Sequence, residues 1–253
     1  MNKLTVVILT RNEEKRIKNT IKSLAFCNEI IVVDDESTDK TCDIAKKGKA
    51  LIFIRPLKND FANQRNFALE KASNEWVLFI DADEEVSKEL QKEIVDSIQK
   101  TEASSYALKR RDFWMNKELK YGETRKTREQ GIVRLVKKDS GIWMGNVHEV
   151  FHTAKSVSIL HNYLNHYPHP TVAEFIQDVN FYSTLRAKEL FNNSKKTNIF
   201  EIITYPFFKF VLTYFIYLGL LDGVPGFTYS FFMSFHSFLV RSKLYQYWNI
   251  KSP

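Results

Sequence analysis

The chain has 253 residues, of which 37 are Lys or Arg and 30 are Asp or Glu, so its formal net charge is +7. The hydrophobic fraction of 44% allows a substantial core, and two cysteines, Cys27 and Cys42, are too few to staple a fold of this length, which excludes a disulfide-framed secreted domain. The first ten residues run directly into a strand pattern, so we expect no signal peptide. The isoelectric point of about 9.2 fits nucleic acid, anionic lipid or a phosphorylated substrate without choosing among them.

Short β-rich segments alternate with longer helical ones over the first part of the chain. Residues 4–10, 29–35, 50–54 and 75–81 are predicted strands, and residues 13–25, 41–48, 63–73 and 88–100 are predicted helices. This alternation is typical of an α/β protein with a mostly parallel sheet flanked by helices. Ligands of such proteins bind at the carboxyl ends of the strands, so the residues that follow each strand are the first candidates for a site.

Three of the predicted strands end in polar or acidic residues, namely Thr10, Asn12, Glu13, Asp34, Asp35, Asp81 and Asp83. No glycine-rich phosphate loop follows any strand, so a diphosphate would be held through a divalent cation bound by carboxylates. Asp81 and Asp83, two residues apart beyond a strand end, suit that role. The alternative is that these acids only cap and favour the helix predicted to begin near Ser87.

The regular alternation stops after residue 110. Residues 109–130 are polar, basic and aromatic, which favours a surface loop over a cleft, although a merely solvated loop fits equally well. The basic residues of this segment could meet a phosphorylated or acidic acceptor; they are Lys109, Arg110, Arg111, Arg125, Lys126 and Arg128. Residues 131–138 are a predicted strand with Arg134 in its middle, and Trp143, His148 and Glu149 cluster after it.

The composition changes again from residue 171 onward. A predicted helix and a polar hinge at 192–198 precede two apolar, aromatic segments that Gly223, Pro225 and Gly226 separate. Glu201, Pro206 and Lys209 interrupt the first of these segments, so helices lying in one leaflet of a membrane fit better than two spans. The alternative is a hydrophobic dimer interface or a lid on the core.

Several of these segments carry a family resemblance. VVILTRNEE, IIVVDDESTDKT, FANQRNFAL and FIDADEEV, in this order and spacing, resemble the family 2 glycosyltransferases, which have the GT-A fold. Within that family the chain is most similar to bacterial lipopolysaccharide core β-glucosyltransferases, through GIVRLVKK, GNVHEVF, LNHYPH and LGLLDGVPGF. One departure is Glu36, which stands where the family usually has glycine or another small residue. The resemblance implies a GT-A domain over residues 1–168 and a helical, membrane-associated region over residues 169–253.

The resemblance also implies roles for individual residues. The nucleotide pocket would be lined by Thr10, Asn12, Glu13, Asp34, Asp35, Gln64, Arg65, Asp81 and Ala82. Asp83 would bind Mg²⁺ or Mn²⁺, Glu149 would be the general base, and Arg134, Trp143 and His148 would lie on the acceptor side. The alternatives are helix capping for Asn12 and Glu13, a surface charge for Arg65 and a structural salt bridge for Glu149. Weaker competitors for the base are Asp112, Glu118 and Glu123, and His166 is interpreted as a core or surface histidine that could also approach the diphosphate or metal.

The predicted function is an inverting, metal-dependent glycosyltransferase at the cytoplasmic face of a bacterial inner membrane. It would move a hexose, expected to be glucose, from a UDP-linked donor onto a lipid-linked saccharide such as lipopolysaccharide core. Nucleic acid is not an expected partner, and a homo-oligomer is left open. One alternative is a sugar-nucleotide nucleotidyltransferase, which would need a basic glycine-rich signature that LTRNEEKR does not supply. The other is a non-catalytic membrane adaptor with a sugar-nucleotide-binding domain.

Overall fold

The computed structural model describes residues 2–100, 102–145 and 149–249. Its strands are β1 (Leu4–Thr10), β2 (Glu29–Asp34), β3 (Leu51–Ile54), β4 (Trp76–Asp81), β5 (Glu84–Val86), β6 (Ser105–Trp114), β7 (Lys117–Leu119), β8 (Ile132–Lys137), β9 (Ile142–Met144), β10 (Val150–His152) and β11 (Val157–His166). Its α-helices are α1 (Ile17–Lys22), α2 (Thr41–Lys47), α3 (Phe61–Lys71), α4 (Lys88–Lys100), α5 (Arg125–Gln130), α6 (Val172–Asn192), α7 (Ile199–Phe210) and α8 (Gly223–Asn249).

The chain divides into two compact units. The first comprises Met1–Arg111 and Thr127–His166, and the second comprises Asp112–Lys126 and Tyr167–Pro253. The second unit therefore contains an inserted segment, 112–126, that precedes the predicted boundary at residue 168. A domain boundary at that residue stays a prediction.

Nine strands form one mixed sheet in the order β3-β2-β1-β4-β8-β6-β11-β5, with β7 paired to β6, while β9 and β10 form a separate hairpin. The four strands predicted from the strand–helix alternation are its parallel half, since β1 pairs with β2 and β4, and β2 pairs with β3. Strand β8, also predicted, runs antiparallel to β4 and β6. Residues 109–114, which we interpreted as loop, are instead the second half of β6, where buried Asp112 and Trp114 alternate with more exposed neighbours.

Both faces of β1, β2 and β4 are largely buried, which explains why their sequences are continuous apolar runs. In β1, Val6 and Ile8 belong to one core layer, whereas Val7 belongs to the layer on the other face with Val77 and Phe79. The register pairs Thr10 with Asp34 and Leu9 with Asp81. The carboxyl ends of β1, β2 and β4 therefore lie side by side at one edge of the sheet.

The second unit has its own aromatic core. Trp114, Leu119, Phe175 and Val179 are buried together, and Tyr229 and Phe232 of α8 pack against them. The Trp114 indole N–H donates to Thr228 Oγ1 at 2.9 Å. The imidazole of His169 stacks on Phe175 with ring centroids 3.8 Å apart. Its Nδ1 lies 3.0 Å from Asp178 Oδ2.

The LGLLDGVPGF motif has a structural explanation within this unit. Gly226 packs so closely on the preceding turn that a Cβ there would lie 2.1 Å from the carbonyl oxygen of Gly219. Asp222 is buried, and its Oδ2 accepts the backbone N–H groups of Lys120 and Tyr121, each at 2.9 Å. The motif therefore ties the inserted segment to the start of α8.

Replacing Asp222 with Ala should destabilise the second unit by about 1–3 kcal/mol, because the backbone N–H groups of Lys120 and Tyr121 lose their buried carboxylate acceptor. Denaturant unfolding of the purified variant measures this loss. Asp96→Asn, a change of an exposed carboxylate on α4, is the control and should leave stability unchanged within about 0.5 kcal/mol. Equal stability of Asp222→Ala and the control would show that other contacts hold the inserted segment in place.

An apolar surface runs along α7. Five of its side chains are more than 60% exposed: Ile199, Phe200, Ile203, Phe207 and Phe208. The stretch Ile199–Ile216 has a mean hydropathy of 1.5 over 18 residues, with 6% of it buried, and among the described helices it alone satisfies the length and composition of a membrane span. Lys209, which interrupts the apolar sequence, forms an ion pair with Glu123 at 2.7 Å.

Candidate active site

Arg65 lies at the centre of a buried charge cluster at the carboxyl edge of the parallel strands. It is in the second turn of α3, whose first turn is capped by Asp60 accepting the Asn63 N–H at 2.9 Å. The residue is 2% exposed. Its Nε donates to Glu149 Oε1 at 2.7 Å and its Nη2 donates to Asp81 Oδ1 at 3.0 Å. The interpretation of Arg65 as a surface charge is therefore wrong.

Two aromatic rings hold the Arg65 guanidinium in place. Its Cζ lies 5.0 Å from the centroid of the Trp143 ring and 5.7 Å from that of Phe79, distances typical of cation–π contacts. Asn66 of α3 fixes the backbone of Trp143. Its side-chain amide donates to the Trp143 carbonyl oxygen and accepts from the Trp143 backbone N–H, both at 2.9 Å. Trp143, predicted to lie on the acceptor side, thus joins the cluster through Arg65.

Asp81 receives a second guanidinium from the antiparallel half of the sheet. Arg134, from the middle of β8, donates through Nη2 to Asp81 Oδ2 at 2.8 Å. Burial alone would raise the pKa of Asp81, but the charges and hydrogen bonds of Arg134 and Arg65 outweigh it and bring the pKa well below its usual value. Asp81 is therefore an anion flanked by two cations, and a third of its side chain is exposed to solvent.

Glu84 and Arg110 extend the cluster, and neither was predicted to belong to it. Glu84 is fully buried, its Oε2 accepts the backbone N–H of Asp81 at 2.8 Å, and its Oε1 lies 3.5 Å from Arg110 Nη1. Burial and the nearby charge of Asp81 raise the pKa of Glu84, despite the opposing effect of Arg134 and Arg110. Glu84 fixes the backbone turn that presents Asp81 and Asp83. Glu84 stands in a run of acidic residues, so the sequence alone did not distinguish it from its neighbours.

Asp83 faces His166, the last residue of β11. Its Oδ2 lies 3.4 Å from His166 Nε2, and both side chains are largely buried. Burial alone would raise the pKa of Asp83. The charge and hydrogen bond of His166 together have the larger, opposite effect, so the pKa of Asp83 lies below its usual value. The Asp83 carboxylate is the kind of ligand that Mg²⁺ and Mn²⁺ prefer, and the His166 imidazole is a nitrogen ligand of the kind that transition metals accept. The described residues contain no group of three or more His, Cys, Asp or Glu side chains that could hold a metal.

The ends of β1 and β2 form a second group of the predicted residues. Thr10 Oγ1 is buried without a hydrogen-bond partner among the described residues. Asp34 directs both carboxylate oxygens to Ser37, at 2.8 Å from its N–H and 2.6 Å from its Oγ. Asp35 is bonded to the Leu57 N–H at 2.7 Å and, through its other oxygen, to the exposed Arg11 at 2.9 Å. Because Arg11 is exposed, a ligand could replace it on Asp35 more readily than it could replace Ser37 on Asp34.

The loop between these strand ends is built from side chain to backbone hydrogen bonds. Asn12 Oδ1 accepts the Thr38 N–H at 2.8 Å, and Glu13 forms an ion pair with Arg16 at 2.6 Å. Glu36 has a φ of 53°, in the left-handed region that favours glycine. Glu36, the departure from the expected pattern, therefore lies at a position where the backbone favours glycine.

Three other predicted residues lie apart from the Arg65 charges or outside the described chain. Gln64 turns toward Arg55, accepting from its guanidinium and donating to its carbonyl oxygen at 2.6 Å. Ala82 is buried between the two aspartates, and its carbonyl oxygen accepts the Thr20 hydroxyl at 2.6 Å. His148 lies outside the described residues. The structure thus brings Arg65, Asp81, Arg134 and Glu149 into direct contact, with Trp143 against them.

Comparison with known proteins assigns the fold and the class of enzyme. The profile described as "Glycosyl transferase family 2" matches residues 5–167. The chain belongs to this family. The glycosyltransferase is 31% identical to an uncharacterized glycosyltransferase of Rickettsia typhi, over 96% of this chain and 87% of that protein. It is 29% identical to the lipopolysaccharide core biosynthesis glycosyltransferase LpsC of Rhizobium meliloti, over 96% of this chain and 92% of that protein.

A solved structure shares the fold of the glycosyltransferase. Glucosyl-3-phosphoglycerate synthase from Mycobacterium tuberculosis, crystallised with Mn²⁺, uridine diphosphate and phosphoglyceric acid, gives a TM-score of 0.50 at 15% identity over 75% of this chain and 78% of that one. The family resemblance, the GT-A fold with a C-terminal helical region and the glycosyltransferase class are confirmed. This result speaks against the nucleotidyltransferase alternative.

Proposed function

We propose that this glycosyltransferase moves a hexose from a UDP-linked donor onto a lipid-linked saccharide, with inversion at the anomeric carbon and a divalent cation at Asp83. The observation that carries the proposal is the buried Arg65 guanidinium, held between Asp81 and Glu149 with its Nη1 unpartnered among the described residues. A buried cationic donor that lacks an acceptor is suited to an anionic oxygen of a bound ligand. The diphosphate of a nucleotide sugar supplies such oxygens.

The nucleotide would lie along the ends of β1 and β2. Thr10 offers a hydroxyl that has no hydrogen-bond partner in the described part of the chain, and Asp35 offers a carboxylate whose exposed Arg11 partner can be exchanged for a nucleotide base. Asn12 and Glu13 shape the adjoining loop, and Asp81 lies near the ribose. Asp34 and Gln64 support this pocket through Ser37 and Arg55.

Glu149 is the general base of the proposed reaction. The acceptor hydroxyl attacks the anomeric carbon, its proton passes to Glu149, and the bond to the diphosphate breaks with its electrons leaving on the phosphate oxygen. Arg134 and Arg65 keep Asp81 ionised beside the donor. Trp143 packs against Arg65 and forms one side of the site. Asp83 and His166 would hold the cation, which supplies Lewis-acid stabilisation of the leaving diphosphate. Inversion is proposed because a single displacement by the acceptor hydroxyl needs one base and no covalent intermediate, and Glu149 is the one base in this scheme.

The acceptor and location follow from similarity and from the second unit. The relative LpsC is named for lipopolysaccharide core biosynthesis, which supports a lipid-linked saccharide as acceptor and the cytoplasmic face of a bacterial inner membrane as the location. The exposed apolar side chains of α7 support peripheral or monotopic attachment, because aromatic and aliphatic residues partition into the interface of a bilayer. A dimer interface on the same surface is the alternative.

Replacing Ile199, Ile203 and Phe207 together with Ser should release the protein from membranes. Each side chain contributes about 1.5–3 kcal/mol when fully buried in an apolar phase, so vesicle binding should fall at least about tenfold. Flotation with vesicles of zwitterionic and anionic phospholipid measures it. The matched control replaces Leu51, Ile54 and Ile142, exposed apolar residues of the first unit, with Ser. Unchanged flotation of the α7 variant would mean that this surface serves another purpose.

The proposed function is tested by product analysis. Purified protein is incubated with UDP-glucose and other UDP-hexoses, Mn²⁺ or Mg²⁺, and a lipid-linked core saccharide, and the product is examined by mass spectrometry and by the anomeric coupling constant in NMR. A β-linked product from an α-linked donor, lost when the metal is chelated, supports the proposal. An α-linked product would contradict inversion, and full activity in chelator would contradict the metal.

A further inference from the structure

Arg65 bonds the same carboxylate that the proposed function uses as its base. Glu149 Oε1 accepts from Arg65 Nε at 2.7 Å, and the Glu149 side chain is 13% exposed. The guanidinium occupies one lone pair of this oxygen, so an acceptor hydroxyl that approaches Oε1 has to compete with Arg65 for it. The contact with Arg65 therefore partly masks the base.

The guanidinium cannot leave this position by moving aside. Trp143 and Phe79 lie against it, and the whole side chain is 3% exposed. Its three nitrogens lie in one rigid plane, with Nε on Glu149, Nη2 on Asp81 and Nη1 unpartnered among the described residues. Any turn of this plane that gives Nη1 an anionic acceptor also alters the bond from Nε to Glu149.

We infer that Arg65 couples donor binding to release of the base. A nucleoside diphosphate competes with Glu149 for the guanidinium, so Glu149 becomes available to the acceptor only when the donor is in place. This inference rests on the proposed function, and it concerns the regulation of the same site. Its consequence is an ordered reaction, in which the acceptor hydroxyl is not activated until a leaving group is present.

The coupling is a thermodynamic quantity and can be measured without turnover. If UDP must displace Glu149 from Arg65, Glu149→Gln removes the competing charge and UDP should bind more tightly. We expect a gain of about fivefold or more in affinity, the lower end of typical coupling between sites. In an Arg65→Gln background the same Glu149→Gln change should alter UDP affinity by less than about twofold, because the competition is already absent.

The experiment is a double-mutant cycle read by titration calorimetry with UDP and Mg²⁺ on the full-length protein. A long-range effect of removing one negative charge would give the same gain in both backgrounds, and that result would overturn the inference. So would an unchanged or weaker affinity of Glu149→Gln for UDP. Absence of UDP binding to the wild-type protein would instead overturn the proposed donor together with the inference, so the two failures are distinguishable.

Arg65→Gln leaves Asp81 and Glu149 with fewer partners and could fail to fold. Arg65→Met then serves as the second background, since it also removes the charge for which Glu149 and UDP would compete and fills the site with an unbranched apolar side chain. The wild-type and Glu149→Gln pair still decides the sign of the effect by itself. A further readout is the ¹³C chemical shift of the Glu149 carboxyl, assigned by its loss in Glu149→Gln, which should move when UDP is added; a signal that stays fixed while UDP binds contradicts the coupling.

Discussion

Glu149→Gln should lose sugar transfer almost completely while still binding the donor. Gln keeps the size of the side chain and can accept a hydrogen bond from Arg65, but it cannot take the proton of the acceptor hydroxyl. General base catalysis contributes on the order of 10²–10⁴-fold, so kcat should fall by about that factor. Paired measurements of transfer rate and UDP affinity on one preparation check the prediction.

Glu89→Gln is the matched control for this variant, because Glu89 is an exposed carboxylate on α4. It should keep the wild-type rate. A Glu149→Gln protein that retains more than about a tenth of wild-type turnover would remove Glu149 from the role of base. Asp112, a buried carboxylate of β6, would then be the next candidate to replace.

Asp83→Asn should weaken the metal-dependent binding of the donor. The change is nearly isosteric and the amide can still hydrogen-bond to His166, so the thermal unfolding of the protein should be unaltered. Loss of a charged oxygen ligand should weaken metal affinity at least about tenfold, since even partners outside the ligand shell are worth 10–100-fold. Calorimetry with UDP, in the presence and absence of Mn²⁺, measures the effect.

His166→Gln provides an independent arm of the same experiment. If His166 shares the cation with Asp83, its substitution should also reduce the effect of Mn²⁺ on UDP affinity. Asp96→Asn, on the exposed face of α4, should leave that effect as it is in the wild type. Equal metal dependence in Asp83→Asn and the wild type would mean that the acidic turn after β4 serves only to hold the backbone.

The parallel half of the sheet and the residues at its edge could be predicted from the sequence because their signals are local. A strand such as β4 is an apolar run that stops at Asp81, and the periodicity of α4 is visible over residues 88–100. The carboxyl ends of parallel strands converge by geometry, so the ends of β1, β2 and β4 were expected together. These inferences needed no knowledge of distant contacts.

The partners of each charge were not predictable in the same way. Arg134 reaches Asp81 across 53 residues of sequence, and Glu149 reaches Arg65 across 84. Strand β6 was missed because Lys109, Arg110 and Arg111 follow one another in its middle, so the alternation of apolar and polar residues typical of a strand is absent there. Glu84 was missed for a similar reason, since its burial depends on the fold and not on its acidic neighbours. The partner of each charged side chain is therefore set by the antiparallel half of the sheet, which local sequence patterns do not reveal.

The separation of these partners along the chain has a consequence for biosynthesis. Strands β1 to β4 pair with one another and are complete at Asp81, whereas Arg134 and Glu149 leave the ribosome at least 53 residues later. Until then, the Arg65–Asp81 ion pair can form, but the ion pairs with Arg134 and Glu149 cannot. We expect the nascent chain to fold its nucleotide half first and to acquire a base only near the end of translation of the first unit, so a truncated product would hold a donor without consuming it.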